Sequence, residues 1–340
     1  MTSGHTPLLE RPQTRFTVES WDVRYGSSLD IEEMPETKLT VTPDIETPPD
    51  NWAPIDPDPA VVLPGAMLFV DGVRRLDARV WFDDDPAAVT DTVTSLGICG
   101  SYAAGVVCCC PGRAHLIATE VRRGVFATTP AVTDIVTDAG CYRGWQATRK
   151  DGTPTMVALS SALQRELSET EIATATAARS GATDHPAIED DLLVVDGPLR
   201  DRTDIDRIVG YIKSQHSRYL PMELNAMVRC LAPGQRTPVF LIGTGWDRYS
   251  WYLRLPSPVG SPWAGVVRLE APPALDRSSV IVLANVTQRM LGRYSSDAHK
   301  DPRAPQNLYP IAGLERHLRH RLGDQRLVYR SLLAAAQCQR

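Results

Sequence analysis

Residues 192–199 read LLVVDGPL. Four apolar residues run into Asp196, and Gly197 with Pro198 stop the run. A short apolar run closed by a turn signal is the pattern of a buried strand. An isolated carboxylate at the exit of such a strand is costly to bury. Asp196 therefore either caps the following turn or shares a cation with other acids. Residues 67–72, MLFVDG, repeat the pattern and end on Asp71. Two strand-terminal aspartates favour the shared cation.

Working outward, residues 156–179 have few breakers and place Leu159, Leu163 and Leu167 at i, i+4 and i+8. That spacing predicts a helix, with Glu166, Glu169 and Glu171 on it and Gly181 at its end. Residues 61–82 read as a tight hairpin of AMLFVDG and LDARVWF, followed by a solvated turn of Asp83, Asp84 and Asp85. Residues 102–110 and 115–120 are strand candidates separated by Pro111 and Gly112, whereas 124–148 fit neither period. After the central stretch, 205–213, 239–243, 250–255 and 264–270 read as strands. Residues 219–231, 275–294, 311–322 and 327–337 read as helices. Residues 1–60 are rich in proline, threonine and acids, which predicts an extended arm with one short strand at 15–23.

The chain has 340 residues, 43% hydrophobic and 23% charged, with a net charge of −5. This is ordinary globular composition, and its acidity argues against a generally basic nucleic-acid surface. No apolar run is long enough for a membrane span and no secretory signal is legible, so the expected location is cytoplasmic. Of the seven cysteines, three are consecutive (Cys108, Cys109, Cys110) and no C-x-x-C pair occurs. That argues for small buried hydrophobes rather than a zinc site. His115 belongs to no recognisable constellation.

Strand with Asp, two more strands, helix with Glu, strand with Asp: this is the order of the ribonuclease H-like fold, an α/β class with a mixed sheet flanked by helices. Clustered acids in such a fold suit Mg²⁺ or Mn²⁺, hard cations that prefer carboxylate oxygens. Two such ions stabilise both the attacking and the leaving oxygen of phosphodiester cleavage.

On its motifs the sequence resembles the NurA nuclease family, partners of the hexameric HerA translocases in DNA end processing. The likeness spans about 62–322 and rests on VDG at 70–72, VVDGPL at 194–199, VGYIKSQ at 209–215, the pair SWYLRL and PWAGVVRLE, and NLYPIAGLERH at 307–317. It implies a nuclease domain over 61–340, with 86–150 as a candidate insertion. It also implies a two-ion Mn²⁺ or Mg²⁺ site held by Asp71, Glu171 and Asp196, with Tyr309 and His317 near the scissile phosphate and His317 as a further ligand. DNA, a HerA-like ATPase and a second copy of the chain would be the partners. Val73 stands where the family's first motif usually has serine.

Each role has a plainer counterpart. Glu171, Glu169 or Glu166 is the helix ligand, or all three are solvated. Tyr309 is either in the site or in the core. Lys213 either meets phosphate or is merely exposed. Arg316, Arg319 and Arg321 lie in the densest basic run, suited to solvent or to a DNA backbone. Two rival functions remain beside the deoxyribonuclease: an inactive DNA-binding adaptor for the ATPase, and a ribonuclease H-like nuclease acting on RNA or in phage defence.

Overall fold

In a computed structural model the described residues are 36–83, 94–181, 190–200, 202, 205–215, 217–243, 246–256 and 262–338. The strand expected at 15–23, and Asp84 and Asp85 of the acidic turn, lie outside them.

Strand β2 (Ala66–Asp83) is the spine of the sheet. It replaces the expected hairpin: VDG is not a turn but mid-strand, and the only irregularity is a register shift between Leu76 and Ala78. The physical reason lies at Gly72. A Cβ there would come within 2.5 Å of both Glu171 Oε1 and Leu167 Cδ1. The glycine provides room for a helix to close on the sheet, not freedom to turn.

Next come β1 (Thr40–Thr42), which precedes β2 in the chain, and then β3 (Thr94–Cys110), β4 (Arg113–Ala127), β5 (Ile135–Thr137) and β6 (Gly140–Gln146). Helix α1 (Thr155–Arg179) follows, then β7 (Asp191–Asp196) and β8 (Ile208–Ile212). The second half holds α2 (Met222–Cys230), β9 (Phe240–Gly243), β10 (Arg248–Arg254), β11 (Val266–Ala271), α3 (Arg277–Leu291), α4 (Tyr309–Arg321) and α5 (Gln325–Cys338). Among the described residues eleven strands form one mixed sheet in the order β1-β9-β10-β11-β8-β7-β2-β3-β4-β6-β5. At its centre β2, β3 and β4 run antiparallel, and β7 and then β8 join parallel. This is the ribonuclease H-like order. Residues 94–127, inside the region expected as an insertion, form its second and third strands. Residues 36–60 hold β1, which pairs with β9, and Glu46, whose carboxylate is bound by Arg236 at 2.7 and 2.8 Å.

Side chains alternate across a strand, and this decides what meets what. From β2, Leu68 and Val70 join Leu193 and Val195 of β7 under Ala175 and Ala178 of α1. Met67 and Phe69 join Leu192 and Val194 on the opposite face, with α3. Val73 shares that second face with Leu314 and Leu318 of α4. Leu159, Leu163 and Leu167 pack α1 onto Ile98, Tyr102 and Phe126, as their spacing predicts.

Candidate metal centre

Parity places Asp71 and Asp196 together. The β2–β7 register pairs Val70 with Val195, so the two aspartates follow side by side, Asp196 at the end of β7 and Asp71 partway along β2. Both lie on the face covered by α3 and α4. There α4 contributes Glu315, and one oxygen each from Asp71, Asp196 and Glu315 all lie within 4.8 Å of one another.

The three acids are unequally partnered. Asp71 Oδ1 accepts from the Gly72 N–H at 2.7 Å, but Oδ2 is buried with no hydrogen-bond partner. Burial pushes the Asp71 carboxyl well above the usual range. The charge of Asp196 adds to this, Lys213 opposes it, and Glu171 and Glu315 contribute smaller upward effects. Asp196 Oδ2 accepts from Lys213 Nζ at 2.6 Å. Lys213 also reaches Asn307 Oδ1 at 2.9 Å, and Asn307 Nδ2 donates to Asp301 Oδ2 at 2.7 Å. Arg303, 3.7 Å from Asp301, binds both oxygens of Glu315 at 3.0 and 2.6 Å. The polar chain thus runs from Asp196 to Glu315 and closes on the cluster.

Three hard oxygen donors converge, one with an orphaned buried oxygen. That donor set fits a divalent cation such as Mg²⁺ or Mn²⁺. The orphan would be satisfied, and the mutual repulsion of the acids would become attraction to the ion.

The other expected residues are placed differently. Glu171 is buried on α1, against the opposite face of β2 at Gly72, and is ion-paired with Arg202. Burial raises its carboxyl to about 7; Arg202 pulls it down and the charge of Asp196 adds to the rise, so Glu171 stays within electrostatic reach of the cluster. Glu166 is buried and Glu169 exposed. Lys213 does not extend into solvent: its side chain is 13% exposed and serves as the counter-charge of Asp196. Tyr309 donates its hydroxyl to Asp297 Oδ2 at 2.5 Å, at the start of α4. His317 is exposed. Helical residues advance by about 100° each, so with Glu315 turned inward His317 faces away from the cluster. Arg316 and Arg319 are exposed, with Arg319 3.7 Å from Glu315.

The residue that sequence reasoning missed is Glu315. Its signal was present: Ile311, Leu314 and Leu318 form the buried stripe of α4, and Glu315 sits within it. A charged residue inside an apolar stripe has to be paired or functional. Val73, in the serine position, packs against Leu314 and Leu318 and so seats the helix that carries Glu315.

Fold and site together define a ribonuclease H-like chain with a three-carboxylate cluster. No family model matches this sequence, and no curated protein matches it. Among solved structures, the crystal structure of the NurA nuclease from Sulfolobus solfataricus aligns at 10% identity and a TM-score of 0.43. The match covers 80% of this chain and 84% of that one. A likeness this loose assigns neither activity nor substrate.

Proposed function

We propose that the chain is a metal-dependent deoxyribonuclease of the NurA type, acting on DNA ends or single strands. The observation that carries this is the convergence of Asp71, Asp196 and Glu315, of which Asp71 has a buried oxygen without a hydrogen-bond partner. These three would hold Mn²⁺ or Mg²⁺, which supplies positive charge for the phosphoryl group and acidifies a bound water. Asp71 and Asp196, fixed on adjacent strands, set the position of the reacting phosphate. Lys213 and Arg303 hold the carboxylates of Asp196 and Glu315 in place at the cluster. Arg316 and Arg319, exposed on α4, offer charge to the flanking backbone phosphates. The single-strand path would be completed by a second copy of the chain, with a HerA-like ATPase feeding the strand.

A second reading is favoured by Lys213 on Asp196 and Arg303 on Glu315. With internal cations already on two of the three acids, the chain would be a DNA-binding adaptor that does not cleave. The two readings separate on labelled DNA in Mn²⁺, with and without the ATPase. The nuclease reading expects cleavage that chelator stops and that Asp71→Asn removes while DNA binding persists. Intact DNA under every condition would leave the adaptor.

A further inference from the structure

The three consecutive cysteines serve two different faces. Cys109 packs with Met67 and Phe69 on the α3 side. Cys108 and Cys110 point the other way, toward Ala175 and Ala178 of α1. Their sulfurs lie 2.8 Å apart. The β3–β4 register sets His115 directly opposite Cys108, and ligand atoms of Cys108, Cys110 and His115 all fall within 4.8 Å of one another. The spacing C-x-C-x₄-H hides this in the sequence. The hairpin reveals it, because the turn at Pro111 and Gly112, with Gly112 at φ 82°, folds β4 back onto β3.

We propose that Cys108, Cys110 and His115 bind a Zn²⁺ ion, with one coordination position left open. Two thiolates and an imidazole are a soft donor set that selects zinc over Mg²⁺ or Mn²⁺. The site is thus chemically distinct from the acidic cluster. The ladder holds all three donors in register, so only side-chain movement is needed to receive the ion. Two sulfurs on a tetrahedral zinc at about 2.3 Å each lie about 3.7 Å apart, so binding requires the thiols to part by about 1 Å. As the ion enters, two S–H protons leave to solvent, and each sulfur gives its lone pair to the metal. His115 Nδ1 accepts from Arg113 Nε at 3.2 Å, a bond that a metal on that nitrogen would replace. Arg113 is exposed and can turn outward into water. Cys110 and His115 are only half-buried, which gives the ion its way in.

The test is Co²⁺ titration of the full chain, fully reduced and freed of metal, followed by absorption. A thiolate site gives intense sulfur-to-cobalt charge-transfer absorption, which carboxylate ligation does not. The expected result is a band that saturates at one ion per chain and is bleached by Zn²⁺. It survives in Cys109→Ser and in Asp71→Asn, and it is lost in Cys110→Ser. His115→Ala weakens binding by about tenfold or more. Cys108→Ser should behave like Cys110→Ser. Since Cys108 is fully buried, circular dichroism checks its fold, and the half-exposed Cys110 carries the decision if it fails. No charge-transfer band in the reduced chain, or one that persists in Cys110→Ser, overturns the proposal.

Discussion

Asp71 and Asp77 sit six positions apart on one strand and are equally buried, at 7% and 6% exposure. Their surroundings are opposite. Asp77 Oδ1 accepts from Arg75 Nε at 2.8 Å, and its Oδ2 accepts from the Ser101 hydroxyl and from Tyr142 at 3.0 Å. Asp71 has one bond, from its own neighbour's N–H, one orphaned oxygen, and two further acids in front of it. The same contrast recurs on β7. Asp191 at its start is held by Arg179 at 2.7 Å and Arg207 at 2.8 Å, whereas Asp196 at its end has Lys213 at 2.6 Å and faces two further acids. A buried carboxylate with every lone pair answered belongs to the scaffold. One left incomplete among other acids is arranged for something that arrives later.

The largest expected effect breaks the pair directly. Asp71→Asn should lower Mn²⁺-dependent cleavage by roughly 10²–10³-fold, the loss of several kcal/mol of charge stabilisation. Its melting temperature in chelator should hold or rise. Asp77→Asn should do the reverse, costing about 3 kcal/mol by leaving Arg75 and its partners unanswered, while activity per folded molecule persists. Denaturant melts run beside cleavage assays check both.

The next effect sharpens which glutamate belongs to the cluster. Glu315→Gln should weaken Mn²⁺ binding by about 10–100-fold. Glu171→Gln should leave it within about threefold, because Glu171 lies on the opposite face and is answered by Arg202. Calorimetric titration of the two variants decides between them. Equal losses would return Glu171 to the site.

A third effect follows from protonation. Asp71 and Glu171 both have carboxyls raised in the folded state, Glu171 to about 7 from 4.5. Between those values the folded chain holds a proton that the unfolded chain has lost. The contribution of Glu171 is therefore fully present below about pH 4.5 and is lost as pH rises through 7, by about 1.4 kcal/mol per unit between those values, and Asp71 acts in the same direction. A divalent ion competes with the proton at Asp71, so Mn²⁺ should raise the melting temperature more at pH 8 than at pH 5. Thermal melts at the two pH values, with and without Mn²⁺, test the sign.

The smallest effect lies on the outer face of α4. Arg316→Ala and Arg319→Ala should each weaken DNA binding similarly across sequences and reduce the salt slope by about one.

What could be read from the chain before folding divides along physical lines. The adjacency of Asp71 and Asp196 was legible because short apolar runs that end on an acid are local signals, whereas the second and third strands fell in a region read as an insertion. The extent of β2 was not legible. V-D-G carries the local signature of a turn, and only the closeness of Leu167 and Glu171 shows why a glycine sits mid-strand. Which of Glu166, Glu169 and Glu171 turns toward the sheet depends on the register of α1, which spacing alone leaves open; the fold buries Glu171 beside Gly72. Glu315 is set by the path of the loop before α4, and His115 by a hairpin register. Neither is written in spacing alone.

The central claim is that Asp71, Asp196 and Glu315 hold a divalent cation. Paramagnetic resonance of Mn²⁺ added to the chain at pH 8 tests it most directly, since bound and free Mn²⁺ give distinct signals. The account predicts saturable binding by the wild-type chain that Asp71→Asn abolishes and Asp77→Asn retains. Saturable binding left intact in Asp71→Asn, or absent from the wild-type chain, would contradict it.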